Sequence, residues 1–322
     1  MNRIVRALLL VAMLGVAGHA GAQDWPTKPV RFVLSQPAGS SPDIVARLLG
    51  DRLSRAWGHP VVVDNRPGGQ NVIGALAASK APADGYSFYY GTTAALVINS
   101  YTLKSLPYDP VKDFVPVGMI GMSPFLIAAN PGVPVKSIAE LLALAKAEPG
   151  KLSMATEGHK TFGGMIGEML QVSAGVKFLH VPYSGVGPGI QDTIAGRTQF
   201  TVQSAAAAMR FVTSGQLRPL AVSGNTRLPE LPDVPTISAT VPGFEYVGWH
   251  ALVAPAGTPR EVVQRVNRDM DRVLKDPDIV KRLADLGPIT DGAGTPESLG
   301  AFLAAERSRW AKLVREVGIK PE

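Results

Sequence analysis

Cysteine is absent from all 322 residues. That excludes disulfide frameworks, CxxC redox centres and thiolate-held zinc. No run of Lys and Arg is long enough to follow a phosphate backbone, and no aromatics interleave with one, so nucleic acid is not expected as a partner. Metal spacing is also missing: His59, His159, His180 and His250 are scattered, with no HExxH among them. There is no G-x-S-x-G elbow. Gly158-His159-Lys160-Thr161 lacks the Gly-Lys pair of a phosphate loop, and Gly185-Val186-Gly187-Pro188-Gly189 departs from dinucleotide-binding spacing. No metal, no cofactor and no catalytic residue are therefore expected. The one catalytic reading left is a hydrolase assembled from distant Ser, His and Asp residues, and no pattern favours it.

What is present fits an ordinary globular protein of two domains, with 46% hydrophobic and 18% charged residues. The formal charge is +6. The first 22 residues have the order of a secretory signal. Arg3 and Arg6 supply the positive start, Ala7–Gly18 the apolar stretch, and Ala20-Gly21-Ala22 a small-residue cleavage site. Cleavage after Ala22 leaves a basic excess of four. The apolar stretch is short of the roughly 20 residues a membrane span needs, and no later segment reaches about 18. The expectation is a soluble, monomeric protein in the periplasm.

The mature chain alternates strand and helix patterns, which predicts an α/β fold. Strands are expected at Val30–Leu34, Val61–Val63 and Tyr86–Tyr90, and again at Leu152–Ala155, Lys177–Val181, Phe200–Val202 and Leu217–Val222. Helix patterns intervene, one of them opened by a capping box from Ser137 to Glu140. The last part of the chain is helical, at Pro259–Lys275, Ile279–Leu286 and Pro296–Val317. Two apolar, strand-like stretches, Val117–Ala128 and Tyr246–Ala254, bracket a block with its own α/β rhythm. The division read from this is a discontinuous first domain, 23–124 plus 248–322, with a second domain, 125–247, inserted in it.

Three strand-to-helix loops are small, hydroxylic and rich in glycine. The first is Pro37-Ala38-Gly39-Ser40-Ser41, with Asp43 in the helix behind it. The second is Thr156-Glu157-Gly158-His159-Lys160-Thr161, and the third Tyr183-Ser184-Gly185-Val186-Gly187. Unpaired N–H groups and the positive dipole end of a helix attract an anion where small residues let it approach. The same residues also serve as ordinary caps and turns. Their recurrence in both candidate lobes favours a ligand cleft between them. Thr92 and Thr93, after the third strand, join the candidate set.

Read in order, these runs resemble the Bug family of periplasmic solute-binding proteins, receptors of tripartite tricarboxylate transporters. The resemblance rests on Trp25-Pro26-Thr27-Lys28-Pro29-Val30, Pro37-Ala38-Gly39 with Asp43-Ile44-Val45-Ala46-Arg47, and Val63-Asp64-Asn65-Arg66-Pro67-Gly68. It continues through Leu106-Pro107-Tyr108-Asp109-Pro110, His180-Val181-Pro182-Tyr183, Leu231-Pro232-Asp233-Val234-Pro235-Thr236 and Pro255-Ala256-Gly257-Thr258-Pro259. It implies a type II periplasmic-binding-protein fold: two α/β lobes, two crossing strands and a cleft that closes on its ligand. It implies no catalysis and no cofactor. The implied ligand is a small organic anion, a mono-, di- or tricarboxylate or an aromatic acid. The implied partner is a membrane permease; a receptor of this fold can equally signal to a sensor histidine kinase.

The chain departs from the family at telling places. Ser40 replaces the second of two glycines. Glu157, His159 and Lys160 replace a small polar loop: Lys160 either pairs with a ligand carboxylate or stands with Glu157 as a solvated rim. Gln203-Ser204 stands where the family often carries an Asp, which argues against a cationic ligand group. Tyr183 and Trp249 are read either as walls of the cleft or as core.

Overall fold

The computed structural model describes residues 25–159, 161–286, 288–318 and 321. The expected export signal at 1–22 and Lys160 lie outside the described residues. Strand β1 (Val30–Leu34) is apolar except for Arg31 and is buried along most of its length. Such a run suits the middle of a parallel sheet covered on both faces. It pairs in parallel with β2 (Val61–Asn65) and β3 (Ser87–Thr92). Between them run helix α1 (Ser41–Trp57), stopped by left-handed Gly58, and α2 (Val72–Ser79). A short helical segment, Ala94–Ile98 continued by α3 (Asn99–Thr102), follows β3.

Strand β4 (Phe114–Ser123) ends at Pro124, and β5 (Phe125–Ala129) begins in another sheet. The apolar stretch read as one crossing strand is thus two strands broken at a proline, which cannot donate to a ladder. Helix α4 (Ile138–Ala147), β6 (Ser153–Thr156), α5 (Phe162–Ala174), β7 (Leu179–Pro182), α6 (Val186–Ile194), β8 (Phe200–Ser204), α7 (Ala205–Thr213) and β9 (Arg218–Val222) complete the second lobe. The chain returns through β10 (Gly248–Pro255) and finishes with α8 (Arg260–Leu274), α9 (Pro277–Leu286) and α10 (Pro296–Val317).

The sheet orders are β2-β1-β3-β10-β4 and β7-β6-β8-β5-β9. Each has three parallel strands followed by one antiparallel strand. In one sheet that antiparallel strand is β10, after the chain has returned from the second lobe; in the other it is β5, directly after the crossing. The carboxyl ends of the parallel strands are where ligands gather in open α/β sheets, and here they carry the candidate loops. Apolar residues on both faces of each sheet form three packed clusters. One reaches across the lobes: Phe125 meets Phe162 edge-on at 5.0 Å, and Phe162 meets Trp310 of α10 at 6.0 Å.

Two local expectations differ. Ser137 accepts from the Glu140 N–H, but the Glu140 carboxylate accepts from Lys136 rather than from Ser137, so the box is only half formed. The third loop, read as running from Tyr183 to Gly187, gives way to helix at Val186, and Pro188 is tolerated in a first turn that needs no N–H. Gly187 therefore lies in a helix, not in a loop.

Candidate functional site

Where the two lobes face one another lies a cleft of about 510 Å³ of atom-free space, part of it open to solvent. Gln36, Ser40, Pro42, Asn71, Thr92, Thr93 and Ala94 line it from the first lobe. Phe125, Glu157, Thr161, Phe162 and Ser204 line it from the second, and Ser123, Gly248, Trp249 and His250 from the crossing strands. Its mouth is bordered by Pro37, Gly68, Gln70, Gly158, Ser184 and Gly185. Among the described residues bordering cleft and mouth, none is Lys or Arg.

The first wall is built by hydrogen bonds among its own side chains. Gln36 Nε2 donates to Asn71 Oδ1 at 3.0 Å and to Thr92 Oγ1 at 3.2 Å. Its Oε1 is left buried with no partner. Asn71 holds a left-handed backbone (φ 77°), a conformation Asn tolerates better than most residues. Gly39, at φ 82°, makes the turn that only glycine takes readily. Asp43 then ties that turn down, its carboxylate accepting from Gly39 N–H and Asn65 Nδ2 and pairing with Arg47. Burial pushes the Asp43 carboxyl up, but Arg47, Gly39 and Asn65 together hold it below the ordinary range. Asp43 supports the loop rather than facing the cleft.

Helix N-termini converge on this space. Ser40 precedes α1 but donates its hydroxyl to Pro37 O, so no side chain caps the helix. Ser204 precedes α7 likewise without capping it, and its Oγ is buried with no partner. Gly185 opens α6 at the mouth. Helix α5, by contrast, is capped: Thr161 Oγ1 accepts from Gly164 N–H. Gly164 allows the loop to lie close, since a methyl group there would collide with the Gly158 carbonyl. The cleft thus offers uncapped positive dipole ends and the unpartnered Ser204 hydroxyl as a donor, a setting that suits an anion.

Glu157 stands in the same cleft. Burial pushes its carboxyl up to about 7, and none of the hydrogen bonds among the described residues involves its carboxylate. His250 is pressed the other way, down to about 3, also by burial. Its Nδ1 lies 2.9 Å from the Tyr90 hydroxyl, and it borders the cleft as a neutral ring. Thr93 Oγ1 accepts the backbone N–H of Trp249 at 3.1 Å.

The candidate residues fall into groups. Ser40, Thr92, Thr93, Glu157, Thr161, Ser204 and Trp249 meet in the cleft, and Pro37, Gly158, Ser184 and Gly185 at its mouth. Ala38, Gly39 and Gly187 border a separate groove between the lobes, with Ile190, Ala206 and Phe211. Tyr183 donates its hydroxyl to Asp192 at 2.8 Å and borders neither space. Gln203 is wholly buried with both amide atoms unpartnered, behind the cleft wall rather than on it. Thr156, His159 and His180 cluster beside the cleft. The backbone of Ser41 opens α1, and Lys160 lies outside the described residues.

Sequence reasoning missed Gln36, Asn71, Ser123, Phe162, Gly248 and His250. A signal existed for Gln36, which follows the end of parallel strand β1 in the loop that leads to α1, and for Gly248 and His250, which sit on the returning strand.

A family model described as tripartite tricarboxylate transporter family receptor matches residues 45–319. The UPF0065 protein in the tcbD-tcbE intergenic region of Pseudomonas sp. (strain P51) is 36% identical over 318 residues, 98% of this chain and 94% of that one. Protein BugT of Bordetella pertussis is 32% identical over 323 residues, 99% of each chain. Among solved structures, R. palustris Rpa4515 with adipate is 34% identical, with a TM-score of 0.88 over 93% of this chain and 100% of that one. MatC (Rpa3494) from Rhodopseudomonas palustris with bound malate is 28% identical, with a TM-score of 0.84 over 90% of this chain and 100% of that one.

Proposed function

The chain belongs to the tripartite tricarboxylate transporter receptor family, and we propose that it binds a small carboxylate between its lobes and delivers it to a permease of that class. The family is one of solute receptors, not enzymes. The observation that carries the ligand class is the pairing of uncapped helix N–H groups with the buried, unpartnered Ser204 hydroxyl, a donor, in one cleft. Such atoms cost free energy until a ligand or water satisfies them. Adipate accompanies Rpa4515 and malate MatC, which supports the same class here.

Binding proceeds by hinge closure. The lobes, 23–124 with 248–322 and 125–247, turn about Pro124 and Gly248, where the chain changes sheets. A ligand touching both walls stabilises the closed arrangement and shifts the population toward it. Glu157 selects among carboxylates: its oxygen accepts from a ligand hydroxyl or other donor and repels a second bare carboxylate. The receptor acts in the periplasm as a monomer after export and cleavage behind Ala22. Among the described residues no helix is long and apolar enough to cross a membrane.

Thermal unfolding in the presence of adipate, malate, other di- and tricarboxylates and aromatic acids tests the reading. A true ligand at 100 times its Kd stabilises by about 2.7 kcal/mol. A flat response across the whole set, with cationic solutes binding instead, would overturn it.

A further inference from the structure

Histidines that look scattered in sequence are brought together by the parallel pairing of β6 with β7, which sets His180 opposite Met154. His180 Nδ1 lies 3.9 Å from Glu168 Oε1 on α5. The ring of His159 stands edge-on to that of His180, centroids 4.0 Å apart. One ligand atom from each of His159, Glu168 and His180 falls within 4.8 Å of the others.

The hydrogen bonds around His180 decide what faces Glu168. Thr156 Oγ1 donates to Gly158 O and accepts from Gly158 N–H. Thr156 Oγ1 also lies 2.5 Å from His180 Nε2, where a hydroxyl oxygen can take the ring N–H. With the ring N–H on Nε2 held by Thr156, the Nδ1 lone pair faces Glu168, and that is the tautomer a metal ion at Nδ1 selects. That Nδ1 is buried without a hydrogen-bond partner, on a side chain 6% exposed. A lone pair facing a carboxylate that also accepts from Gln171, with a second imidazole alongside, is a donor set that one positive ion can bridge.

We propose that His159, Glu168 and His180 bind a divalent transition-metal ion of the zinc type. Two imidazoles and a carboxylate are an established zinc donor set that leaves a fourth position for water. Around a tetrahedral ion such donors sit roughly 3.4 Å apart, given bonds of about 2.0–2.1 Å. The cluster reaches this by a small contraction, and exposed His159 is the member with room to make it. Thr156 plays the part usual beside a metal-bound histidine, taking the other ring N–H and fixing the ring. The ion would join β7 and α5 to the loop that carries Glu157 into the cleft, holding that wall in place whether or not a solute is bound.

The test uses untagged mature protein stripped with a chelator. Zn²⁺ is titrated in competition with a chromogenic chelator, and Co²⁺ is added separately to read coordination from its absorption. One Zn²⁺ per chain is expected, with a tetrahedral Co²⁺ spectrum and a rise in melting temperature. His159→Ala and Glu168→Gln, both at sites that are not fully buried, should weaken binding by roughly 100-fold while melting like the stripped parent protein. No binding by the parent protein, or equal binding by parent and both variants, would overturn the proposal. Solute affinity does not enter this readout, so it stands apart from the test of the carboxylate site.

Discussion

The indole N–H of Trp249 donates to Glu306 Oε2 at 2.9 Å, and the two side chains are only 1% and 7% exposed. Trp249 lies on the returning strand and lines the cleft, whereas Glu306 belongs to the last helix. The C-terminal helix thus braces the crossing from behind. Arg309 stands 3.4 Å from the other carboxylate oxygen and offsets its charge. Glu306→Ala strands a buried indole N–H and should cost about 1–3 kcal/mol in urea unfolding. Glu306→Gln keeps an acceptor and should cost less. Equal losses in the two variants would show that the hydrogen bond contributes nothing.

Ser204 makes the opposite kind of prediction. Its hydroxyl is buried and unpartnered, so Ser204→Ala removes no protein contact and should leave the melting temperature unchanged or slightly raised. Carboxylate affinity should fall about tenfold, equivalent to roughly 1.4 kcal/mol. Calorimetric titration beside thermal unfolding separates the two effects. A loss of stability without loss of affinity would remove Ser204 from the site.

Charge at Glu157 should sort ligands. Above its raised value of about 7, Glu157→Gln takes a negative charge out of the cleft, so at a fixed pH well above neutral simple dicarboxylates should bind several-fold more tightly. A ligand that offers Glu157 a donor, such as a hydroxy acid, should gain less or lose. Competition titration of adipate against malate in both proteins reads the difference, and an unchanged ratio would rule out a selective role.

His250 sets a pH dependence of stability. Its folded value is about 3, lowered by burial, against about 6.5 for an ordinary histidine. Below 6.5 the unfolded chain binds a proton that the folded chain refuses. The contribution is therefore complete above pH 6.5 and lost as pH falls toward 3. His250→Asn, which keeps an acceptor near Tyr90, should flatten the melting curve over that window relative to the parent. Parallel curves would mean that His250 is not held neutral.

Much of the architecture was legible because each lobe repeats a simple signal. Val30–Leu34 and Phe200–Val202 are apolar runs closed by small-residue loops, and the helix after Ser41 shows its face in Ile44, Val45, Leu48 and Leu49. The segment Ala94–Ile98 escaped because five buried apolar residues carry no period that separates helix from strand. Half of the candidate site was readable from strand-to-helix loops. The rest depends on partners far away in the chain: Gln36 on Asn71 and Thr92, Trp249 on Glu306, and His180 on Thr156 and Glu168. Asp43 and Tyr183 likewise depend on partners the sequence does not show, their polar groups being taken by Gly39, Asn65 and Asp192.

The carboxylate cleft is tested most directly by mass spectrometry of the small molecules released when protein purified from its own periplasm is denatured. An organic carboxylate should be recovered at close to one per chain from the parent protein, and in much smaller amount from Ser204→Ala prepared in parallel. Recovery of a cationic or uncharged solute instead, or of the same carboxylate in equal amount from both proteins, would show that the cleft does not work as described.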